Sequence, residues 1–340
     1  MPWNLTGHEW AANILCQHVA RGEMRHAYLI TGPAGVGRRT LALRFAQAVN
    51  CTQPTVPGEP CGACRACTQI ERMAHPDLSI VQAGREGGDI AVDAVRQLQR
   101  ALNLAPYEAR FRVALLLRFE EATASAQNAL LKTLEEAPEK VILLLTAENA
   151  EALLPTIVSR CEILRLRPLP LEVVRASLAA RGVDAAKADL LAHVCGGRPG
   201  LAFRLSQDGE RMNQRAAWLD DLWQLLHASR AERFAFAERA ASTRGNTREE
   251  RDRLRENLRE MMLTWLSFWR DALLRAAGTT APLTNPDQAG RVEQAAIAAE
   301  ISGARRVINA LEDALPRLGN ANLQLLLEVL LLDMPRLRGS

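Results

Sequence analysis

Two neighbouring groups of residues in the first fifth of the chain have types and spacings suited to chemistry. The first is the glycine-rich stretch Gly-Pro-Ala-Gly-Val-Gly at 32–37, which lies between an apolar run at 26–31 and a helical pattern at 41–46. A glycine-rich loop between a strand and a helix directs backbone N–H groups and a helix N-terminus toward phosphates. Gly32, Gly35 and Gly37 therefore predict a phosphate loop.

The two positions after this loop differ from those of an ATP-hydrolysing site. Such sites carry Lys followed by Ser or Thr, whereas this chain has Arg38 and Arg39, with Thr40 one residue late. Arg for Lys is not a conservative change here, because the planar guanidinium is bulkier than the compact lysine ammonium and prefers fork-like contacts. Arg39 also takes the place of the hydroxyl that ligates magnesium. We therefore expect no intrinsic ATPase activity, and ATP binding by this chain is doubtful.

The second group consists of the cysteines Cys51, Cys61, Cys64 and Cys67, and residues 51–67 are called the cysteine module. In a reducing compartment such a cluster favours metal over disulfides. Four thiolates suit a closed, structural tetrahedral Zn²⁺ site. An iron–sulfur cluster is an alternative, but its bacterial signature places another Cys, followed by Pro, soon after the third. Here Thr-Gln-Ile follows Cys67, so zinc is favoured, with uncoordinated thiols as the other alternative.

Length and composition set the broad class of protein. The chain has 340 residues and a net charge of +3, which is too small to indicate nucleic-acid binding by itself. No signal peptide is evident, and no apolar stretch is long enough to cross a bilayer. We therefore expect a cytoplasmic protein that makes no membrane contact.

The order of apolar runs indicates how these residues are positioned. The first half alternates strand-like and helical patterns, which is typical of a parallel α/β sheet. After Pro170 the strand patterns stop, and the rest is helical, with Trp218, Trp223, Trp265 and Trp269 at spacings that predict helix–helix packing. The predicted strands lie at 77–82, 113–117, 141–145 and 161–166, and the predicted helices include 93–102, 171–181, 185–194 and 248–277.

Several motifs together resemble one family, the AAA+ clamp-loader proteins of bacterial DNA polymerase III, and most of all its delta-prime branch. They are Asn-Ala-Leu-Leu-Lys-Thr-Leu-Glu-Glu at 128–136, Ser-Arg-Cys at 159–161, Leu-Thr-Gly-His at 5–8, His-Ala-Tyr-Leu at 26–29, Gly-Arg-Pro-Gly-Leu-Ala at 197–202 and the cysteine module itself. The resemblance is dense up to about residue 205. It implies an AAA+ domain at 1–167, a helical lid at 168–206 and a C-terminal helical collar for oligomerisation at 207–340.

The resemblance also tests a second ATPase motif. ATP-hydrolysing members end a buried strand with an Asp-Glu pair about eleven residues before the Asn that is Asn128 here. Counting back gives Leu117 and Arg118, which cannot hold magnesium. We interpret Glu120 and Glu121 as a solvent-exposed turn at the start of a helix.

Other positions are read from the same resemblance. Thr146 or Asn149 is expected near the first sensor position. Pro199 occupies the second sensor position, with Arg198 beside it.

The function that the resemblance implies is that of a non-hydrolysing clamp-loader subunit within the DNA polymerase III holoenzyme, a DNA-directed DNA polymerase complex. Arg160 of the Ser-Arg-Cys motif would act in trans as an arginine finger at the ATPase site of a neighbouring subunit. The implied partners are gamma/tau and delta subunits, with the sliding clamp and primer–template DNA contacted through the complex. The alternatives are a gamma/tau-like ATPase that uses Arg38 and Glu120, and a zinc-dependent nucleic-acid-binding module.

Overall fold

The computed structural model describes residues 3, 5–84, 88–242 and 247–337. The chain divides into two compact units. The first comprises Met1–Arg181 with Gly197–Leu201, and the second comprises Gly182–Gly196 with Ala202–Ser340. The predicted three-domain division at 167 and 206 stays a prediction.

A five-stranded parallel sheet forms the centre of the first unit. Its β1 pairs with the central strand β4 on one side and with the edge strand β5 on the other, so that Leu29 lies opposite both Leu145 and Ile163. The strands are β1 (Ala27–Thr31), β2 (Leu78–Val81), β3 (Arg112–Leu116), β4 (Val141–Ala147) and β5 (Glu162–Arg165), in the order β2-β3-β4-β1-β5. Each predicted strand is confirmed to within a residue or two at its ends.

Helices cover both faces of this sheet, which explains the continuous apolar runs of its inner strands. Tyr28 and Ile30 of β1 belong to one core with Phe45, whereas Leu29 belongs to the opposite core with Phe119. The helices of this unit are α1 (Glu9–Arg21), α2 (Arg38–Asn50), α3 (Arg65–Glu71), α4 (Val92–Leu102), α5 (Ala124–Glu135), α6 (Pro155–Val158) and α7 (Leu171–Ala179).

Two helices follow the end of the first unit's long segment. α8 (Ala185–Val194) begins at Asp184, whose Oδ2 accepts hydrogen bonds from two backbone N–H groups of its first turn. α9 (Pro199–Gln207) begins within the motif at 197–202. Proline suits a first helical position because its missing N–H has no partner there in any case.

The second unit is helical throughout its described residues. Its main core contains the fully buried Trp265 and Trp269, with Trp218 and Trp223 packed against it, which confirms their predicted role in helix packing. Arg233 is also buried, and its guanidinium donates to four backbone carbonyls. The helices are α10 (Gly209–His227), α11 (Arg230–Ala241), α12 (Arg248–Ala276), α13 (Ala289–Ala314) and α14 (Leu323–Asp333).

The parallel sheet and the helical second unit confirm the predicted combination of an α/β part and an all-α part. Within the described ranges, no helix combines the length and the apolar character that crossing a bilayer requires.

Candidate functional site

The phosphate loop connects β1 to α2 with a backbone that favours glycine. Gly32, Gly35 and Gly37 have φ angles of 143°, 85° and 116°. A Cβ on Gly32 would lie 2.3 Å from the Leu166 carbonyl oxygen, so no larger residue fits there. The Gly35 carbonyl accepts a 2.8 Å hydrogen bond from the Gly200 N–H, which ties the loop to the first turn of α9.

Arg38 is buried at the start of α2, and Glu120 faces it. Their side chains are 8% and 18% exposed, and Arg38 Nη1 lies 3.8 Å from Glu120 Oε1. This separation permits charge attraction but is too long for a hydrogen bond. Among the residues that the structure describes, no hydrogen-bond partner reaches Arg38 Nη1 or Glu120 Oε2. Burial lowers the pKa of Arg38 and raises the pKa of Glu120.

The interpretation of Glu120 and Glu121 as an exposed turn is therefore wrong. Both lie in a 3₁₀ turn, Phe119–Glu121, whose start is set by Arg118 with a φ of 49°. This turn directs Glu120 toward Arg38, while Glu121, at 13% exposure, accepts a 2.9 Å hydrogen bond from Arg118 Nε. No pattern in the sequence indicated the left-handed residue Arg118, which places both carboxylates in partly buried positions.

The carboxyl end of β3 carries no acidic side chain, in agreement with the counted register. Leu117 follows the strand directly and is buried in the core. Arg118 comes next, and its N–H donates to Thr146 Oγ1 at 2.9 Å. Thr146 is thus buried beside this turn, whereas Asn149 accepts a hydrogen bond from the Ala152 N–H in the following loop.

Arg39 and Thr40 are both exposed, unlike Arg38. Arg39 Nη2 lies 2.7 Å from Met73 Sδ, so this side chain extends along the outside of α2. Three of the predicted phosphate-loop positions therefore differ in environment: Arg38 is inside the site, whereas Arg39 and Thr40 face outward. The hydroxyl of Thr40 is one residue away from where a magnesium ligand is needed.

The four cysteines of the cysteine module converge on one point. Their sulfur atoms all lie within 4.8 Å of one another, and Cys61 Sγ is 4.0 Å from Cys67 Sγ. A tetrahedron with metal–sulfur distances of about 2.3 Å has edges of roughly 3.8 Å, so the arrangement fits one four-coordinate ion. Cys51 and Cys64, together with Cys67, are buried, and they form a separate small cluster.

Backbone groups of the module also favour thiolates. The N–H of Cys61 donates to Cys51 Sγ at 3.3 Å, and the N–H of Cys64 donates to Cys61 Sγ at 3.2 Å. Burial opposes ionisation of Cys64, yet backbone hydrogen bonds from Cys67 and Thr52 lower the pKa of its thiol to about 6. The other cysteines, Cys16, Cys161 and Cys195, lie outside this group.

The module is joined to α2 by buried hydrogen bonds. Cys51 directly follows the helix, and Gln47 on α2 donates to the Cys67 carbonyl at 2.8 Å and to Glu71 Oε2 at 2.9 Å. Arg44 donates to the same Glu71 oxygen at 2.9 Å. These contacts connect the cysteine module to the helix that begins at the phosphate loop.

The charges near the module do not form a basic surface. Arg65 Nη2 lies 3.6 Å from Glu108 Oε2, and Arg44 pairs with Glu71. A nucleic-acid platform needs clustered cations with free donors for phosphates. The contacts of Arg65 therefore argue against the nucleic-acid-binding alternative.

Arg160 lies in the connection between α6 and β5, the strand at one edge of the first unit's sheet. Its side chain is 34% exposed. Nη1 donates to the Thr156 carbonyl at 2.9 Å, and Nη2 donates to Glu135 Oε1 at 2.6 Å. The motif at 159–161 and the end of the motif at 128–136 are thus brought into direct contact by this pair.

Family models match both halves of the chain. Residues 7–170 match the family described as DNA polymerase III, delta subunit, and residues 232–335 match the corresponding C-terminal family. The chain belongs to the DNA polymerase III clamp-loader family. This membership confirms the resemblance that the motifs indicated.

Individual relatives agree with this assignment. The chain is 35% identical to the DNA polymerase III subunit delta′ of Pseudomonas aeruginosa over 220 residues, which are 64% of this chain and 66% of that protein. It is 31% identical to the delta′ subunit of Bacillus subtilis over 223 residues, or 66% of each protein. The alignments thus span slightly less than two thirds of these relatives. Similarity to the tau subunit of Escherichia coli, at 34% identity, covers 52% of this chain and 27% of that subunit.

A solved structure supports the fold over nearly the whole chain. A DNA polymerase III gamma subunit-related protein from Thermotoga maritima matches 95% of this chain and 97% of its own, with a TM-score of 0.50 and 18% identity. At this identity the likeness concerns the fold alone.

Proposed function

We propose that this chain acts as a non-hydrolysing delta-prime-like subunit of the DNA polymerase III clamp loader. In this role it joins gamma/tau and delta subunits, and the assembly loads a sliding clamp onto primer–template DNA. The chain itself contributes an arginine finger to a neighbouring ATPase subunit and works in the cytoplasm. The longer similarity to delta′ subunits than to the tau subunit supports this choice.

The contact between Arg38 and Glu120 is the observation that carries the proposal. An ATPase needs a cation free to meet the terminal phosphates and a carboxylate free to act on magnesium and water. Here the buried cation faces a partly buried carboxylate, so each charge offsets the other. Arg39 supplies no hydroxyl, and Leu117 supplies no carboxylate, which leaves magnesium without its usual ligands. These features support a site that does not hydrolyse ATP.

The accessible guanidinium of Arg160 supports the second part of the proposal. An arginine finger has to reach a nucleotide held by another subunit, so its side chain must be available to solvent in the free chain. Arg160 is partly exposed and is held by two hydrogen bonds. Positive charge placed against a transferring phosphoryl group stabilises the transition state.

We also propose that the cysteine module binds Zn²⁺ in a structural role. Four sulfurs complete a tetrahedral shell and leave no open position for catalysis. When bound, the ion would cross-link Cys51 at the end of α2 to the three cysteines around the start of α3. Metal binding and local folding are then coupled, because the ligands converge only in the folded chain.

The test is Arg160→Ala in a clamp loader reconstituted with its gamma/tau and delta partners. Arginine fingers contribute about 10³- to 10⁵-fold to turnover at the site that they serve. One silenced site among several should lower, but not abolish, the DNA- and clamp-stimulated ATPase, and clamp loading should fall with it. Arg167→Ala, which removes an exposed arginine beyond the other end of β5, is the control and should leave both rates unchanged.

Two outcomes would contradict the proposal. If the Arg160→Ala complex assembles and both rates equal those of the wild type, Arg160 is not a finger. If the purified chain alone hydrolyses ATP with magnesium, and Glu120→Gln abolishes that activity, the gamma/tau-like alternative is correct.

A further inference from the structure

The guanidinium of Arg160 donates a hydrogen bond to the carboxylate of Glu135. We propose that Glu135 is a positioning residue that orients Arg160 for the nucleotide site of the neighbouring subunit. The inference rests on the proposed finger role of Arg160, and it adds a residue of the same chain that acts only through that arginine.

The geometry fixes the guanidinium from two sides. Glu135 is the last residue of α5, and Thr156 lies in α6, so two separate helices supply the acceptors. Nη1 donates to the Thr156 carbonyl, and Nη2 donates to Glu135 Oε1 at 2.6 Å, a short charge-assisted hydrogen bond. Two acceptors in different directions set both the position and the plane of the guanidinium group.

Enough donors remain for a phosphate. A guanidinium carries five N–H donors, and the contacts with Thr156 and Glu135 use two of them. The three remaining donors include the Nε–H and one N–H on each terminal nitrogen. A phosphoryl oxygen can therefore be bound while the orienting contacts stay in place.

Stability of the chain does not account for the pair. The side chains of Arg160 and Glu135 are 34% and 50% exposed, and ion pairs at such exposure contribute little to folding. A long arginine side chain otherwise loses much rotational freedom when it binds a phosphate. An orienting carboxylate removes part of that loss before the neighbouring nucleotide arrives, which is how pre-organisation accelerates a reaction.

The next residue provides a matched control. Glu136 has the same side chain and is also exposed, yet it forms no ion pair within the described part of the chain. Glu135→Gln and Glu136→Gln therefore remove the same charge from the same helix end. Only the first variant removes the negative charge that pairs with Arg160.

The experiment is a double-mutant cycle in the reconstituted clamp loader. The variants are Glu135→Gln, Arg160→Ala, both together, and Glu136→Gln, and the readouts are kcat and the KM for ATP of the stimulated ATPase. For each variant, the activity of the ATPase site that Arg160 serves is its rate minus the rate of Arg160→Ala. Glu135→Gln should lower this difference about two- to fivefold at unchanged KM, the effect of an exposed ion pair on orientation.

The cycle separates an effect through Arg160 from a general one. If Glu135 acts through Arg160, the double variant has the same rate as Arg160→Ala alone, and Glu136→Gln has the wild-type rate. Glu135→Asp should restore part of the activity, because it keeps a carboxylate on a shorter side chain. Assembly and metal content should be equal in all variants, which shows that folding is not the cause.

Three results would overturn the proposal. Glu135→Gln could match the wild type while Arg160→Ala is slow, which refutes the positioning role but keeps the finger. The double variant could be slower than Arg160→Ala alone, which means that Glu135 acts on something other than Arg160. Finally, Arg160→Ala could have no effect at all, which refutes the finger and Glu135 with it.

Discussion

Replacing Glu120 with Gln should destabilise the first unit, because it removes the carboxylate that pairs with the buried Arg38. Gln keeps the shape of the side chain and removes only the negative charge. At 3.8 Å, two unit charges attract by about 4 kcal/mol for an effective dielectric constant near 20. The cost of burying both charges offsets part of that attraction. Because the pair lacks a hydrogen bond and Glu120 keeps some exposure, we expect a net loss of about 1–3 kcal/mol in the free energy of unfolding.

Urea unfolding of the purified, metal-loaded chain measures this loss. Glu121→Gln in the same turn is the matched control, and its loss should be smaller because its partner Arg118 is 29% exposed and can be solvated. The double variant Arg38→Met/Glu120→Leu should recover most of the stability, since it removes both charges together.

A ligand experiment gives the same reasoning a second test. Magnesium-free inorganic pyrophosphate should stabilise Glu120→Gln more than the wild type. In the variant Arg38 has lost its paired carboxylate, so the added anion can take that place. If Glu120→Gln unfolds at the wild-type urea concentration and pyrophosphate has equal effects on both proteins, the two charges do not depend on each other. Glu120 would then not offset the charge of Arg38 beside the phosphate loop.

Two further predictions concern the metal site and a buried carboxylate. Cys64→Ser should reduce the zinc content from about one ion per chain and destabilise the first unit. Elemental analysis measures the zinc content, and thermal unfolding measures the stability. Iron in the wild-type protein, or no metal when it is purified without chelators, would contradict this prediction. Asp77 is buried, and although burial opposes its ionisation, hydrogen bonds from the N–H groups of residues 107–109 and the charge of Arg112 lower its pKa. Its contribution to stability should be complete above the ordinary pKa near 3.8 and be lost as the pH falls through the lower folded pKa. Asp77→Asn should therefore be less stable than the wild type at pH 7, and the difference should shrink toward pH 2; a constant difference across that range would refute the linkage.

The sequence predicted the parts of the site that depend on local spacing. The glycines of the phosphate loop, the four cysteines and the apolar strands each have a pattern that a short stretch of chain fully contains. The register counted back from Asn128 also placed Leu117 and Arg118 correctly after β3. Such features are local, so the sequence order already contains their geometry.

Features that depend on distant partners were not predictable in this way. The burial of Glu120 follows from the left-handed backbone of Arg118, which a non-glycine residue rarely adopts. The contact of Glu135 with Arg160 joins residues 25 positions apart through the packing of separate helices. The non-helical φ of 54° at Glu300 inside α13 likewise has no signal in the apolar pattern.

The helix α2 is attached to a chemically distinct group at each end. Its first residue, Arg38, faces Glu120, and its last turn meets the cysteine module through Gln47 and Cys51. The 13 residues of α2 span about 20 Å. A rod fixed at both ends passes a displacement on instead of absorbing it. Any displacement of the phosphate loop is therefore passed along α2 to the cysteine module.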